Sequence, residues 1–174
     1  MSEIDIHEVL DHFPFPTFRK YQKEVLEEIV EAFNSGYQWI LLETPTGFGK
    51  SPVNVALCRV LRSFYCTPQN ILLDQLRGDF PDLALIKGRR HYECAELLSG
   101  NCDEDAPCKR KANYFCRDKY ERCPYWEAKI QAIEAQTALT NFAYFVGESF
   151  IHGTPNIPQF GNRDLLVVDE GHSI

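Results

Sequence analysis

Thr44-Pro-Thr-Gly-Phe-Gly-Lys-Ser51 brings together, in one short run, the groups that hold a nucleoside triphosphate. Gly47 and Gly49 let the backbone fold into a nest of N–H donors aimed at phosphate oxygens. Thr46, Gly47, Phe48 and Gly49 would form the cradle, Lys50 would reach the β- and γ-phosphates, and Ser51 would ligate Mg²⁺. The strict phosphate-loop pattern opens on glycine, and Thr44 stands there instead. Near the other end, Asp169-Glu-Gly-His172 follows the apolar run Leu165–Val168. Such a run delivers carboxylates to the end of a buried strand, where open α/β sheets bind ligands. Asp169 is placed to hold Mg²⁺, Glu170 to orient and deprotonate the attacking water, and His172 to sense the γ-phosphate. Either segment alone could be a plain glycine turn or a solvated acidic loop. Together they predict an ATP·Mg²⁺ site.

A third group is thiol chemistry. Cys94, Cys102, Cys108, Cys116 and Cys123 are spaced C-x7-C-x5-C-x7-C-x6-C. Seven cysteines in all, an odd number without a secretory signal, disfavour a disulfide framework and favour a metal. Cys58 and Cys66 fall at core-like positions and read as buried small hydrophobes. Structural zinc commonly uses knuckles of two to four residues, and none occurs here; spacing alone leaves iron–sulfur and zinc open. Lys87, Arg89, Arg90 and Lys109-Arg-Lys111 alternate with Tyr92, Tyr114, Tyr125 and Trp126, as in a channel for single-stranded nucleic acid. The segment 94–123 carries as many acids as bases, so a solvated surface fits it too.

The elements that must position these groups alternate. Apolar residues at three-to-four spacing predict a helix over 18–33, with Thr17 as N-cap and Gly36 past its end. Residues 1–17 read as an extended strap. Strands are predicted at 39–42, 63–67, 83–86 and 164–168, and helices at about 50–62, 69–77 and 124–138. Residues 140–145 read as another buried segment, and 147–163 as a Gly/Pro/Asn-rich loop. That order predicts an α/β fold, a P-loop domain with a mainly parallel sheet, which the resemblance given below makes RecA-like. The parts are 1–87, a Cys-rich insert over 88–126, and 127–174.

The chain has 174 residues, 44% hydrophobic and 25% charged, with net charge −7 and pI near 5.2. Wholesale disorder and collagen-like repeats are excluded, and the acidity argues against a sequence-blind cationic coat. No apolar run reaches the ~18–20 residues of a membrane span, and the acidic start lacks a signal peptide. A cytoplasmic protein, nucleoid-associated or nuclear by cell type, is expected.

Taken together, Glu43–Ser51 resembles motif I of superfamily 2 helicases, and Asp169-Glu-Gly-His172 is similar to the DEAH box with Gly171 in place of alanine. Phe18-Arg-Lys-Tyr-Gln22 resembles the upstream adenine-reading motif, which implies that Arg19 and Gln22 contact the base. Cys66–Gln75 looks like motif Ia, implying DNA-backbone contacts at Thr67 and Gln69, with Arg89 and Arg90 as further nucleic-acid contacts. Lys87–Cys94, Cys123-Pro-Tyr-Trp126 and Thr140–Phe145 resemble segments of XPD/DinG-type iron–sulfur DNA helicases. This implies a 4Fe–4S cluster held by Cys94, Cys108, Cys116 and Cys123, with Cys102 as alternative fourth ligand. It implies 5′→3′ unwinding of single-stranded or forked DNA in repair or replication. Because the chain stops at the DEAH-type box, a fragment is expected, lacking the second RecA-like domain and nearly inactive alone. The competing reading is a stand-alone, ATP-gated nucleic-acid-binding module with a structural zinc.

Overall fold

The computed structural model describes residues 3–97, 100–111, 114–116, 121–150 and 159–171. The elements are α1 (Ile6–Asp11), α2 (Gln22–Asn34), α3 (Lys50–Val60), β1 (Ser63–Thr67), α4 (Asn70–Asp79) and β2 (Ala84–Leu85). After a 3₁₀ turn at Arg89–His91 come α5 (Pro107–Arg110), α6 (Pro124–Glu134), β3 (Thr137–Asn141), α7 (Phe142–Ser149) and β4 (Leu165–Val168). The result is an α/β fold with a parallel sheet in the order β2-β3-β1-β4. The chain forms two compact units, one of 1–63 with 163–167 and one of 64–162 with 168–174.

In the first unit, α1, α2 and α3 close around Val9, Leu26, Val53 and Ala56, none of which keeps any exposure. Part of the strap expected at 1–17 is helical. The Asp5 carboxylate caps α1 by accepting from His7 N, and Ile6, Val9, Leu10 and Phe13 supply a helical apolar stripe. Helix α2 begins at Gln22 rather than Phe18, because Tyr21 takes a left-handed backbone (φ 69°). It ends as expected: Gly36 turns left-handed (φ 92°), and Tyr37 N donates to Ala32 O across the turn. The strand expected at 39–42 is absent, and Trp39 and Leu41 are 88% and 95% exposed. An apolar run becomes a strand only when a neighbour supplies ladder hydrogen bonds, and among the described residues none pairs with this one.

In the second unit, β2 pairs in parallel with β3, Ala84 opposite Ala138 and Leu85 opposite Leu139. Thr140 extends the lock by donating its hydroxyl to Ile86 O at 2.9 Å. Helices α4 and α6 pack on these strands and α7 on β3, burying Ile86, Cys102, Tyr125, Trp126, Ala132 and Ala138. The helix expected over 124–138 stops at Glu134, since Thr137–Leu139 are needed in β3, and 142–149 coil into α7. Thus the thiol-bearing segment shares a core with the sheet.

Candidate nucleotide, acidic and thiol sites

The phosphate loop leads into α3, whose first residues are Lys50 and Ser51. Gly47 and Gly49 are both left-handed (φ 82° and 87°), a backbone that favours glycine. Gly49 has a second reason to be glycine: a Cβ there would stand 2.6 Å from Gln22 Nε2. Pro52 sits in the first turn of α3, where a missing N–H costs nothing. Thr44 Oγ1, in the position of the usual first glycine, is screened from solvent without a hydrogen-bond partner among the described residues.

Arg19 and Gln22 hold this loop. Gln22, 2% exposed, donates from Nε2 to Phe48 O at 3.0 Å and Gly49 O at 3.1 Å, and its Oε1 accepts from Arg19 N. Arg19 donates to Gly47 O at 3.0 Å. Three successive loop carbonyls are thereby turned toward α2, while Phe48 N closes the turn by donating to Pro45 O at 3.1 Å. The resemblance assigns adenine reading to this pair, whereas the structure shows both side chains bracing the loop. Gln22→Ala should therefore loosen the loop even in the absence of base. Losing this buried amide should cost about 1–3 kcal/mol, read as a lower melting temperature, with roughly tenfold weaker ATP binding by titration calorimetry.

The acidic pair follows β4 in the second unit. Asp169 N donates to Cys66 O at 2.9 Å, so the residue continues the pairing past the strand end. Its carboxylate accepts from Tyr65 OH at 3.0 Å on one oxygen and from Glu170 N at 3.0 Å on the other. Glu170 is left-handed (φ 53°), a strained state for a residue with a side chain and one frequent at functional sites. A Cβ on Gly171 would meet Val168 Cγ1 at 3.6 Å, an ordinary contact, so alanine would fit this position. His172 lies outside the described residues. Tyr65, the orienting partner of Asp169, carried no motif in the sequence; only its place on β1 identifies it.

The thiols are organised by a small hairpin. Glu93 and Asn101 form an antiparallel bridge, Cys94 N donates to Gly100 O, and Cys102 N donates to Tyr92 O. Gly100 is left-handed (φ 133°), and a Cβ there would strike Asp105 at 2.9 Å. The buried Cys102 thiol is pushed up to about 12 by burial; Arg89 pulls it down, and the neighbouring Cys123, Cys108 and Cys94 raise it. Cys116 lies beside Tyr114. Arg89 sits over the Tyr125 ring at 4.6 Å and the Trp126 ring at 5.8 Å, and donates to Cys108 Sγ at 3.8 Å. Burial opposes its charge, yet Tyr125, Cys102 and Cys108 hold the guanidinium above its ordinary value. Among the described residues no three His, Cys, Asp or Glu side chains converge as for a single metal ion. The residue types present, the thiols of Cys94, Cys102, Cys108 and Cys123 with the half-buried Arg89 guanidinium, fit a thiophilic, net-anionic centre in their chemistry but are not drawn together around one point. Cys58, also pushed up to about 12 by burial, and Cys66 are core residues.

Of the residues expected on nucleic acid, Gln69 and Arg90 are exposed at the start of α4 and on the 3₁₀ turn. Thr67 is fully buried, with its hydroxyl on Gln69 O at 3.0 Å, and Arg89 turns inward. No helix among the described residues is long and apolar enough to cross a membrane.

A parallel α/β fold, a phosphate loop opening a helix and an acidic pair closing a strand define a nucleic-acid-dependent, ATP-binding motor domain of the helicase superfamily 2 type. The chain belongs to the ResIII family, described as type III restriction enzyme, res subunit, which it matches over residues 15–174. No curated protein matches it.

Proposed function

We propose that this chain is the ATP-binding motor domain of an ATP-dependent DNA helicase of the XPD/DinG type. Within it, 1–87 and 127–174 form the RecA-like part and 88–126 a cysteine-rich insert. The braced loop carries the reading: Arg19 and Gln22 hold the carbonyls of Gly47, Phe48 and Gly49 while Lys50 and Ser51 open α3. Lys50 binds the β- and γ-phosphates, Ser51 and Asp169 hold Mg²⁺, and Glu170 takes the proton of the attacking water. His172 reports the γ-phosphate, and Arg19 meets the base from the brace that the buried Gln22 holds in place. Gln69 and Arg90 contact the backbone of single-stranded or forked DNA, with 5′→3′ movement in repair or replication. Phosphoryl transfer gains on the order of 10³–10⁵ from an arginine finger. In this reading that arginine comes from a second RecA-like domain. The isolated chain therefore binds ATP and hydrolyses it slowly.

The thiols support an iron–sulfur centre as the finer reading. Cys94, Cys108, Cys116 and Cys123 are ligands in this proposal, with Cys102, beside Cys94 in the hairpin, as the alternative fourth. A bound 4Fe–4S cluster would supply a cross-link among the segments that carry these thiols. Arg89 offsets the thiolate charge. Iron, zinc and acid-labile sulfide should be measured on protein purified without oxygen. Iron and sulfide near four each are expected, as for one such cluster. Zinc without sulfide overturns the iron–sulfur reading and leaves the ATP-binding motor domain standing.

A further inference from the structure

Asn141 caps α7: its Oδ1 accepts the backbone N–H of Tyr144 at 2.8 Å. A backbone N–H can only donate, so the Asn141 amide has one orientation, oxygen toward the helix. Its Nδ2 donates to Asn70 Oδ1 at 2.7 Å. That contact fixes the Asn70 amide in turn, and Asn70 Nδ2 is aimed at His91 Nε2 at 3.0 Å. Arg90 Nε approaches the same ring nitrogen at 3.4 Å. His91 Nε2 must accept, so the ring is neutral and carries its proton on Nδ1.

We infer that Asn141, Asn70 and His91 form a one-directional hydrogen-bond chain that positions the nucleic-acid face at the starts of α4 and α7, and that protonation of His91 breaks it. The inference rests on the proposed DNA contact at Gln69 and Arg90, which share this surface. Each amide nitrogen keeps a second N–H, a donor suited to a phosphodiester oxygen. Once Nε2 gains a proton it faces Asn70 Nδ2, donor against donor. Turning Asn70 would set its nitrogen against Asn141 Nδ2, and turning Asn141 would orphan Tyr144 N–H. No flip repairs the chain.

The charged groups around His91 are Arg90, Lys87 and Asp74, the last two paired with each other at 2.5 Å. Burial, then Arg90 and Lys87, hold the imidazole below its ordinary value, and Asp74 pulls it up. A depressed histidine contributes stability above its unfolded value of about 6.5, and that contribution is lost as pH falls through the folded value. The chain is therefore intact at neutral pH and opens on acidification.

The test uses the whole chain, heteronuclear NMR and anisotropy titrations with single-stranded oligothymidylate. The side-chain amides of Asn70 and Asn141 and the backbone amide of Tyr144 should titrate together, below about pH 6.5. The same signals should stay flat in His91→Gln, whose amide oxygen still accepts. Oligothymidylate binding should weaken about fivefold from about pH 7.5 to about 5.5, the order expected for one lost cap. Bare electrostatics predicts the opposite sign, since an added cation tightens phosphate binding. Asn141→Asp keeps the cap acceptor and removes the donor, so the Tyr144 amide should lose its pH response even if His91→Gln folds poorly. Independent titration of the three signals, or tighter binding at acid pH with no difference in His91→Gln, overturns the inference. Absence of binding at every pH overturns the nucleic-acid role of the face, and the joint titration then decides the hydrogen-bond chain by itself.

Discussion

Lys50→Ala is expected to weaken ATP binding roughly a hundredfold or more while leaving the fold intact. Charge-assisted hydrogen bonds to phosphate contribute about 1.5–3 kcal/mol each, and the ammonium makes more than one when it bridges the β- and γ-oxygens. Lys50 is the first residue of α3, and alanine is the best helix former, so the helix gains if anything. The melting temperature without nucleotide should stay within about 0.5 kcal/mol equivalent of wild type. Isothermal titration with ATP·Mg²⁺ gives the affinity, and thermal unfolding with and without nucleotide separates binding from folding. Wild-type affinity in Lys50→Ala would sink the phosphate-loop assignment. The Gln22→Ala variant offers the contrast, because it should lose stability and affinity together.

The other large effect lies in the second unit, at a buried ion pair. Lys129 Nζ contacts Glu148 Oε2 at 2.7 Å, with the two side chains 2% and 12% exposed, and the same ammonium lies 5.3 Å from the Trp126 ring. The pair ties α6 to α7 within a core that also holds the Tyr125 and Tyr144 hydroxyls, 3.2 Å apart. Burial raises both phenols above the ordinary tyrosine range, so they remain neutral hydrogen-bonding groups. Glu148→Gln strands an ammonium in this core and should destabilise the chain by about 3–5 kcal/mol in chemical denaturation. Lys129→Met should cost a similar amount by stranding the carboxylate. The double variant Lys129→Met/Glu148→Leu should recover most of the loss, since a well-packed apolar pair replaces two desolvated charges. Additive losses in the double variant would mean that the charges are not coupled.

Much of the frame was legible because it rests on local chemistry. The run at 63–67 is a strand over the expected residues, and 164–168 needed trimming by one residue. Gly36, Gly47 and Gly49 were readable since a left-handed backbone favours glycine whatever surrounds it. Helix α2 was harder: its stripe of apolar residues extends back to Phe18, and only the left-handed Tyr21 ends it early. The helix α1 was hidden by its proline-rich neighbourhood, although Asp5 as a cap was there to be found.

The site divides along the same line. The residue types and order of 44–51 and 169–172 point by themselves to an ATP·Mg²⁺ site, for only a few side chains and a flexible backbone can cradle phosphate. Tertiary structure decided which donors are already spent. Gln22 is committed to loop carbonyls by residues 26 and 27 positions away, Thr67 is sealed by its own turn, and Arg89 is drawn inward by Tyr125, Trp126 and Cys108. The hairpin at Glu93–Asn101, not the spacing of cysteines, brings Cys102 beside Cys94, Cys108 and Cys123. Residues 39–42 show the limit most clearly. Their composition asks for burial in a sheet, but a strand exists only where another chain segment meets its N–H and C=O groups, and that depends on contacts no local pattern records.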